Sequence, residues 1–235
     1  MTTVLLVRHG RTTANASGVL AGRTPGVELD ERGRAQAAAL AERLAEVPLA
    51  AVVSSPLERT RQTAEALLTG RQDTPLHVDE SLTECDYGDW SGRELMTLFE
   101  EPLWRTVQIH PAAAAFPGGE AMAAMSARAV TAIRRWNAEF GGDATYAVVS
   151  HGDIIKAIVA DALGMHLDLF QRLQVDPCSV SVINYTETRP FILRLNDTGW
   201  ETASLKPPKR RTKRTSARAR AEEGDVQVGG GAGPG

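Results

Sequence analysis

Two stretches decide the reading: Val4-Leu5-Leu6-Val7-Arg8-His9-Gly10 and Ala147-Val148-Val149-Ser150-His151-Gly152. Each is a short, β-branched apolar run that stops on a polar residue followed by His-Gly. That pattern fits a buried strand of a parallel sheet, apolar on both faces, with a histidine where the strand ends. In an open α/β sheet the ligand crevice lies beyond the carboxyl ends of the strands. Two histidines delivered there from distant parts of the chain are therefore expected to converge on one site. A single histidine would carry little weight; the repeated context carries the inference.

Working outward, strand-like and helix-like segments alternate. Asp30 is an N-cap candidate for a helix whose apolar face holds Leu40 and Leu44. Ala50–Ser54 reads as a second buried strand. Pro56 then reads as the first residue of a helix running to about Leu68. Leu76-His77-Val78 is a further strand. Residues Ser81–Pro117 break into short pieces punctuated by Gly and Pro, as expected of a cap over a crevice rather than a core layer. From Glu120 onward Met122, Met125, Ala129, Ile133 and Trp136 recur at helical spacing, which predicts a core-facing helix. Ile154–Leu163 predicts another, followed by strands at Ser179–Tyr185 and Phe191–Leu195.

The 235 residues, 43% of them hydrophobic, suffice for one substantial core. Cys85 and Cys178 show neither metal-site spacing nor the density of a disulfide scaffold. With an apolar strand entered by Val4 and Arg8 met at once, no leader is expected, and no later run is long enough to span a bilayer. The expectation is a cytoplasmic protein. Its net charge of -3 hides an asymmetry. Residues 206–235 carry eight Lys/Arg against Glu222, Glu223 and Asp225, whereas residues 1–205 are net -8. The reading is a catalytic domain over 1–205 and a basic, then Gly-rich, disordered tail over 206–235. Such a tail suits attachment to nucleic acid or another polyanion, although a merely solvated tail is the plainer expectation. The oligomeric state is not legible, and a homodimer fits as well as a monomer.

The second strand ends in Ser54-Ser55-Pro56-Leu57-Glu58-Arg59-Thr60-Arg61-Gln62-Thr63-Ala64, which sets Arg59 on the first turn of a helix beside unpaired backbone N–H groups. That is an anion site. Arg8 offers a second guanidinium fork from the first strand.

Taken with Thr12 and Asn15, with Leu82-Thr83-Glu84 followed by Gly88 and Trp90, and with Ser150-His151-Gly152, these motifs resemble the histidine phosphatase superfamily, the phosphoglycerate-mutase-like proteins. The resemblance runs in order from about residue 3 to 195. It implies a three-layer αβα sandwich with a largely parallel sheet. It also implies His9 as the phosphorylated nucleophile, Arg8, Arg59 and His151 as holders of the phosphoryl oxygens, and Glu84 as proton donor. Asn15 and the Gly152 backbone would add hydrogen bonds. Thr12, Gly22 and Arg23 are further candidates for the substrate side, Arg23 for a carboxylate or second phosphate.

The chemistry agrees with these roles. Neighbouring guanidinium charges keep an imidazole neutral and nucleophilic, and positive donors can carry phosphoryl transfer without an obligatory metal or other cofactor. Arg11 and Ser91 depart from the commoner family pattern. His77, His110 and His166 lack a supporting constellation and read as structural or surface residues. The expected activity is hydrolysis of a small phosphorylated metabolite. The alternatives are a phosphomutase of the same fold, using Arg11, Arg23 and Arg93 for a second phosphate, and, further off, a phospho-ligand-binding protein without catalysis. The Phe116-Pro117-Gly118-Gly119-Glu120 step resembles the phosphatase branch.

Overall fold

A computed structural model describes residues 1–199; the basic and Gly-rich segments, and with them the boundary expected at 205, lie outside the described residues. The elements are β1 (Thr2–Arg8), α1 (Thr13–Ser17), α2 (Glu31–Arg43), β2 (Val52–Ser54), α3 (Glu58–Leu68), β3 (Leu76–Val78), α4 (Leu95–Leu98), α5 (Pro102–Ile109), α6 (Met122–Phe140), β4 (Thr145–Ser150), α7 (Gly152–Ala162), β5 (Val180–Tyr185) and β6 (Pro190–Asp197). The six strands form one sheet in the order β3-β2-β4-β1-β5-β6. β1, β2, β3 and β4 pair in parallel, and β5 runs antiparallel to both β1 and β6.

Alternation along the strands splits the core into two layers, because successive side chains leave opposite faces of a strand. Val4, Leu6, Val53, Tyr146, Val148 and Ile183 face α6, α7 and the aromatic cluster of residues 82–116. Leu5, Val7, Val52, Ala147, Val149 and Val180 face α2 and α3. The result is the three-layer αβα sandwich with a largely parallel sheet.

Three expectations need correction. Pro56 does not open α3: the helix starts at Glu58 with Leu57 as its N-cap. Ser55 N–H still bonds the Val149 carbonyl, so the sheet holds the chain one residue past β2, and it bends through Pro56 and Leu57 before the helix starts; the Thr60 hydroxyl ties back to the Ser55 carbonyl. Likewise α7 begins at Gly152, directly after His151, rather than at Ile154. The stretch from Ser81 to Pro117 is more than a cover. Leu82, Tyr87, Trp90, Leu98, Val107 and Phe116 are buried in the same cluster as the sheet's inner face. Trp90 meets Phe116 edge-on at 5.2 Å and stacks with Trp104 at 6.0 Å.

A tight crossing beneath the site explains two glycines. A Cβ at Gly33 would lie 2.0 Å from the Arg11 carbonyl oxygen, and one at Gly10 would lie 2.6 Å from the Gly33 carbonyl oxygen. The first turn of α2, capped by Asp30 through a 2.7 Å bond from Gly33 N–H, is thereby pressed against the loop that follows His9. At the far edge, β6 pairs with β5 through two register irregularities and leaves Phe191, Leu193 and Leu195 exposed.

Candidate active site

β1 and β4 run side by side, Arg8 opposite Ser150, so His9 and His151 leave the same end of the sheet. Their rings stand 5.3 Å apart at 60°. Both are buried, as are Arg8, Arg59 and Glu84.

Hydrogen bonds fix the tautomer of each imidazole. In His9, Nδ1–H donates to the Gly10 carbonyl at 2.7 Å, which leaves Nε2 with the lone pair. Burial and then the charges of Arg59 and Arg8 hold this ring well below the usual histidine range, so it is neutral. In His151, Nε2 is 2.7 Å from the Ser55 hydroxyl and Nδ1 is 3.3 Å from Arg59 Nη2. An arginine only donates, so Nδ1 accepts and Nε2–H donates to Ser55. This ring is also held neutral, by burial and then by Arg59.

Arg8 reaches across to the Val175 carbonyl at 2.9 Å, and burial lowers its pKa to about 10, so it remains a cation at neutral pH. Arg59, on the first turn of α3, spends Nη2 on the Gly22 carbonyl at 2.8 Å, while its buried Nη1 has no hydrogen-bond partner. A buried guanidinium N–H without a partner costs free energy unless something fills the place, and a phosphoryl oxygen would do so.

Glu84 follows the turn at Leu82-Thr83. One carboxylate oxygen accepts from Cys85 N–H at 2.9 Å; the other lies 4.0 Å from His151 Nδ1. Burial, reinforced by the nearby Asp153 carboxylate, raises its pKa to about 7. Such a group is a usable proton donor at neutral pH.

The remaining candidates fall into supporting positions. Thr12 and Asn15 form the capping box of α1: Thr12 Oγ1 accepts from Asn15 N–H, and Asn15 Oδ1 accepts from Thr12 N–H. Gly22 holds Arg59 with its carbonyl, and its φ of +52° together with a Ser91 hydroxyl 2.6 Å from any added Cβ suits glycine alone. Arg23 is engaged by Glu120 at 3.0 Å, by Asp86 at 3.6 Å and by the Glu84 carbonyl at 2.8 Å. Gly152 is buried at the start of α7, behind His151.

Four contributors were not read from the sequence. Ser55 orients His151. Asp153, two residues past His151, accepts from the Tyr87 hydroxyl at 2.8 Å and lies 4.0 Å from the Lys156 ammonium. Lys156, Tyr87 and Asp153 are all buried. The signal that could have found them is an aspartate and a lysine three residues apart within the otherwise apolar Gly152–Ala160 run. Cys85 is buried against the Met122 thioether, and burial pushes its thiol far up, so it is no nucleophile. His77 packs on Trp136, while His110 and His166 meet at Asp168 on the surface, away from this chemistry. Among the described residues no cluster of three His, Cys, Asp or Glu is arranged for a metal ion, and no helix is long and apolar enough to cross a membrane.

Residues 4–198 match the histidine phosphatase superfamily, branch 1, and the chain belongs to that family. It is 34% identical over 206 residues to phosphoserine phosphatase 1 of Hydrogenobacter thermophilus, covering 84% of this chain and 93% of that protein. It is 31% identical over 191 residues to the probable phosphoglycerate mutase GpmB of Salmonella choleraesuis, covering 80% of this chain and 87% of that one. Its fold superposes on the α-ribazole phosphatase structure from Shigella flexneri with a TM-score of 0.74 at 30% identity, over 83% of this chain and 96% of that chain.

Proposed function

We propose that His9 Nε2 is the nucleophile of a phosphomonoesterase that acts through a phosphohistidine. The class of enzyme, a phosphoric monoester hydrolase acting on small phosphorylated metabolites, follows from the family and from phosphatase relatives that match 83–84% of the chain. The observation that carries the mechanism is the meeting, in one buried site, of a neutral imidazole with Nε2 free, two guanidiniums and a carboxyl that holds its proton near pH 7.

In the first half-reaction Nε2 attacks phosphorus and the ester P–O bond breaks. Arg8, Arg59 and His151 bear the charge spread over the three equatorial oxygens, and Glu84 gives its proton to the departing oxygen. In the second, the Glu84 carboxylate takes a proton from water, the water oxygen attacks phosphorus, and the P–N bond breaks to release phosphate and restore His9. To donate to a phosphoryl oxygen, His151 takes a proton at Nδ1 from the monoanionic phosphate ester, in place of the bond it accepts from Arg59.

Hydrolysis rather than isomerisation is supported by the ion pairs around the mouth. Arg11 is bound to Asp30 at 2.7 Å, Arg93 to Glu101 at 2.6 Å and Arg23 to Glu120 at 3.0 Å. A second phosphate would have to displace these carboxylates. We place the enzyme in the cytoplasm, in keeping with two buried free thiols.

The test is rapid reaction with a radiolabelled phosphomonoester, quenched in alkali. The expected adduct is acid-labile and on His9, and disappears in His9→Ala; label elsewhere refutes the assignment. With 3-phosphoglycerate, free phosphate is expected without a bisphosphate primer. Isomer formed severalfold faster than phosphate, and only after priming, would make the mutase reading correct.

A further inference from the structure

On α6, Arg128 uses every N–H of its guanidinium. Nη1 donates to the carbonyls of Ser81 at 2.8 Å and Thr83 at 2.7 Å; Nη2 donates to the Glu84 carbonyl at 3.2 Å and to Glu120 Oε1 at 2.5 Å; Nε donates to Glu120 Oε2 at 3.0 Å. Three of these contacts fall on the four residues that end in Glu84. Glu120 Oε1 also accepts from Asp86 N–H at 2.9 Å and from Arg23 Nη2 at 3.0 Å. The Glu84 carbonyl is gripped a second time by Arg23 Nε at 2.8 Å.

The backbone is shaped for this closure. A Cβ on Gly119 would sit 2.2 Å from the Asp86 carbonyl oxygen, and one on Gly88 would sit 2.1 Å from the Pro117 carbonyl oxygen. The Pro117–Glu120 step can therefore lie against residues 86–88 only with glycine at both places, and that contact delivers Glu120 to Arg128.

The side chain of Glu84 has one hydrogen bond of its own, from Cys85 N–H, so its aim depends on where its backbone is pinned. Both arginines pin the carbonyl and neither bonds the carboxyl. A guanidinium on the carboxyl itself would strip its proton and destroy an acid catalyst, whereas one on the neighbouring carbonyl fixes position and leaves the proton. Arg23 also ties this turn to the phosphate clamp, because Gly22, the residue before it, accepts from Arg59.

We propose that Arg128, locked by Glu120, is a positioning residue for Glu84, holding the acid at the distance from the leaving oxygen that proton transfer requires. This rests on the reading of Glu84 as the general acid. The experiment compares phenyl phosphate, whose leaving group needs a proton, with 4-nitrophenyl phosphate, which is nearly the same shape and hardly needs one. Arg128→Ala is expected to lower kcat/KM for phenyl phosphate, which reports the first half-reaction alone, by about 10- to 100-fold, part of the roughly 100- to 10,000-fold that acid catalysis supplies. On 4-nitrophenyl phosphate kcat/KM should fall less than about threefold; the second half-reaction, in which Glu84 is the base, is common to both substrates and does not enter the comparison. In a Glu84→Gln background Arg128→Ala should add almost nothing, and Arg128→Lys, with three donors for five acceptors, should fall between. Equal losses on both substrates, or full additivity with Glu84→Gln, would make Arg128 merely structural and overturn the proposal. Equal losses in Glu84→Gln itself would instead overturn the acid assignment. If a thermal melt shows Arg128→Ala unfolded, Arg128→Lys and Glu120→Gln carry the same comparison.

Discussion

Replacing Asp153 by Asn should move the alkaline limit of catalysis downward. Glu84 owes its pKa of about 7 first to burial and second to the Asp153 carboxylate, against Arg59 and Arg8, which pull it the other way. At pH 7 roughly half of the enzyme then carries the catalytic proton, against about 0.3% for a carboxyl left at 4.5, a gain of roughly 150-fold in competent acid. Asn keeps an oxygen for the Tyr87 hydroxyl and removes the charge. Burial remains, so Glu84 should stay above the ordinary carboxylate range while its pKa falls below about 7. The sign is fixed: an acid catalyst works below its pKa, so kcat/KM on phenyl phosphate, which reports the free enzyme and the first half-reaction, declines as pH rises through about 7, and Asp153→Asn should bring that decline to lower pH. The assay is kcat/KM against pH for phenyl and 4-nitrophenyl phosphate in both proteins, with this Glu84 limb expected only on the former. An alkaline limb that stays put, moves upward, or appears equally with 4-nitrophenyl phosphate would refute the electrostatic account.

Ser55→Ala leaves the buried Nε2–H of His151 without an acceptor, a loss of about 1–3 kcal/mol, and should weaken competitive inhibition by inorganic phosphate by roughly tenfold in initial-rate assays. Gly33→Ala should destabilise the fold by more than about 2 kcal/mol in urea titration, because its new Cβ meets a backbone oxygen that has nowhere to go. His9 and His151 are held below their ordinary pKa of 6.5, so the unfolded chain binds protons that the native state refuses. Stability should be full above pH 6.5 and decline as pH falls through the native pKa values; the acid limb of the urea midpoint should become shallower in His9→Asn. A chain ending at Leu205 should retain its thermal transition and its turnover of 4-nitrophenyl phosphate; retardation of nucleic acid by the full-length protein alone, weaker as salt rises, would assign the tail to a polyanion.

Of the candidate site, the histidine pair and both arginines were legible because each sits at a strand end or on the first turn of a helix, whereas Glu84 lies in a loop after a short turn and was reached only through the family resemblance. What was not legible arises from contacts between distant segments. Ser55 is 96 residues from the ring it orients, and nothing in its neighbourhood betrays that role. Thr12, Asn15 and Gly22 were expected beside the substrate, yet the contacts they make hold up a helix turn and an arginine. The aromatic residues between 82 and 116 lie in a stretch that looked like a cover because Gly and Pro break it into short pieces. They are core all the same, since irregular backbone can pack tryptophans as well as a helix can. Pro56 misled because proline suits a helix start in general, while here the sheet keeps hold of the chain one residue before it.

The outer border of the sheet bears on how this enzyme survives at high concentration. A straight, apolar border strand is a template on which a second chain can add its own backbone, and repeated addition makes fibrils. β6 carries three exposed apolar side chains and would qualify on composition. Its two register irregularities and the positive φ of Asn196 interrupt the regular spacing of outward N–H and C=O groups. A neighbouring strand could match it for a few residues and would then fall out of step. Backbone shape thus joins the exposed Arg194 in guarding this border, and straightening β6 is expected to promote insoluble protein.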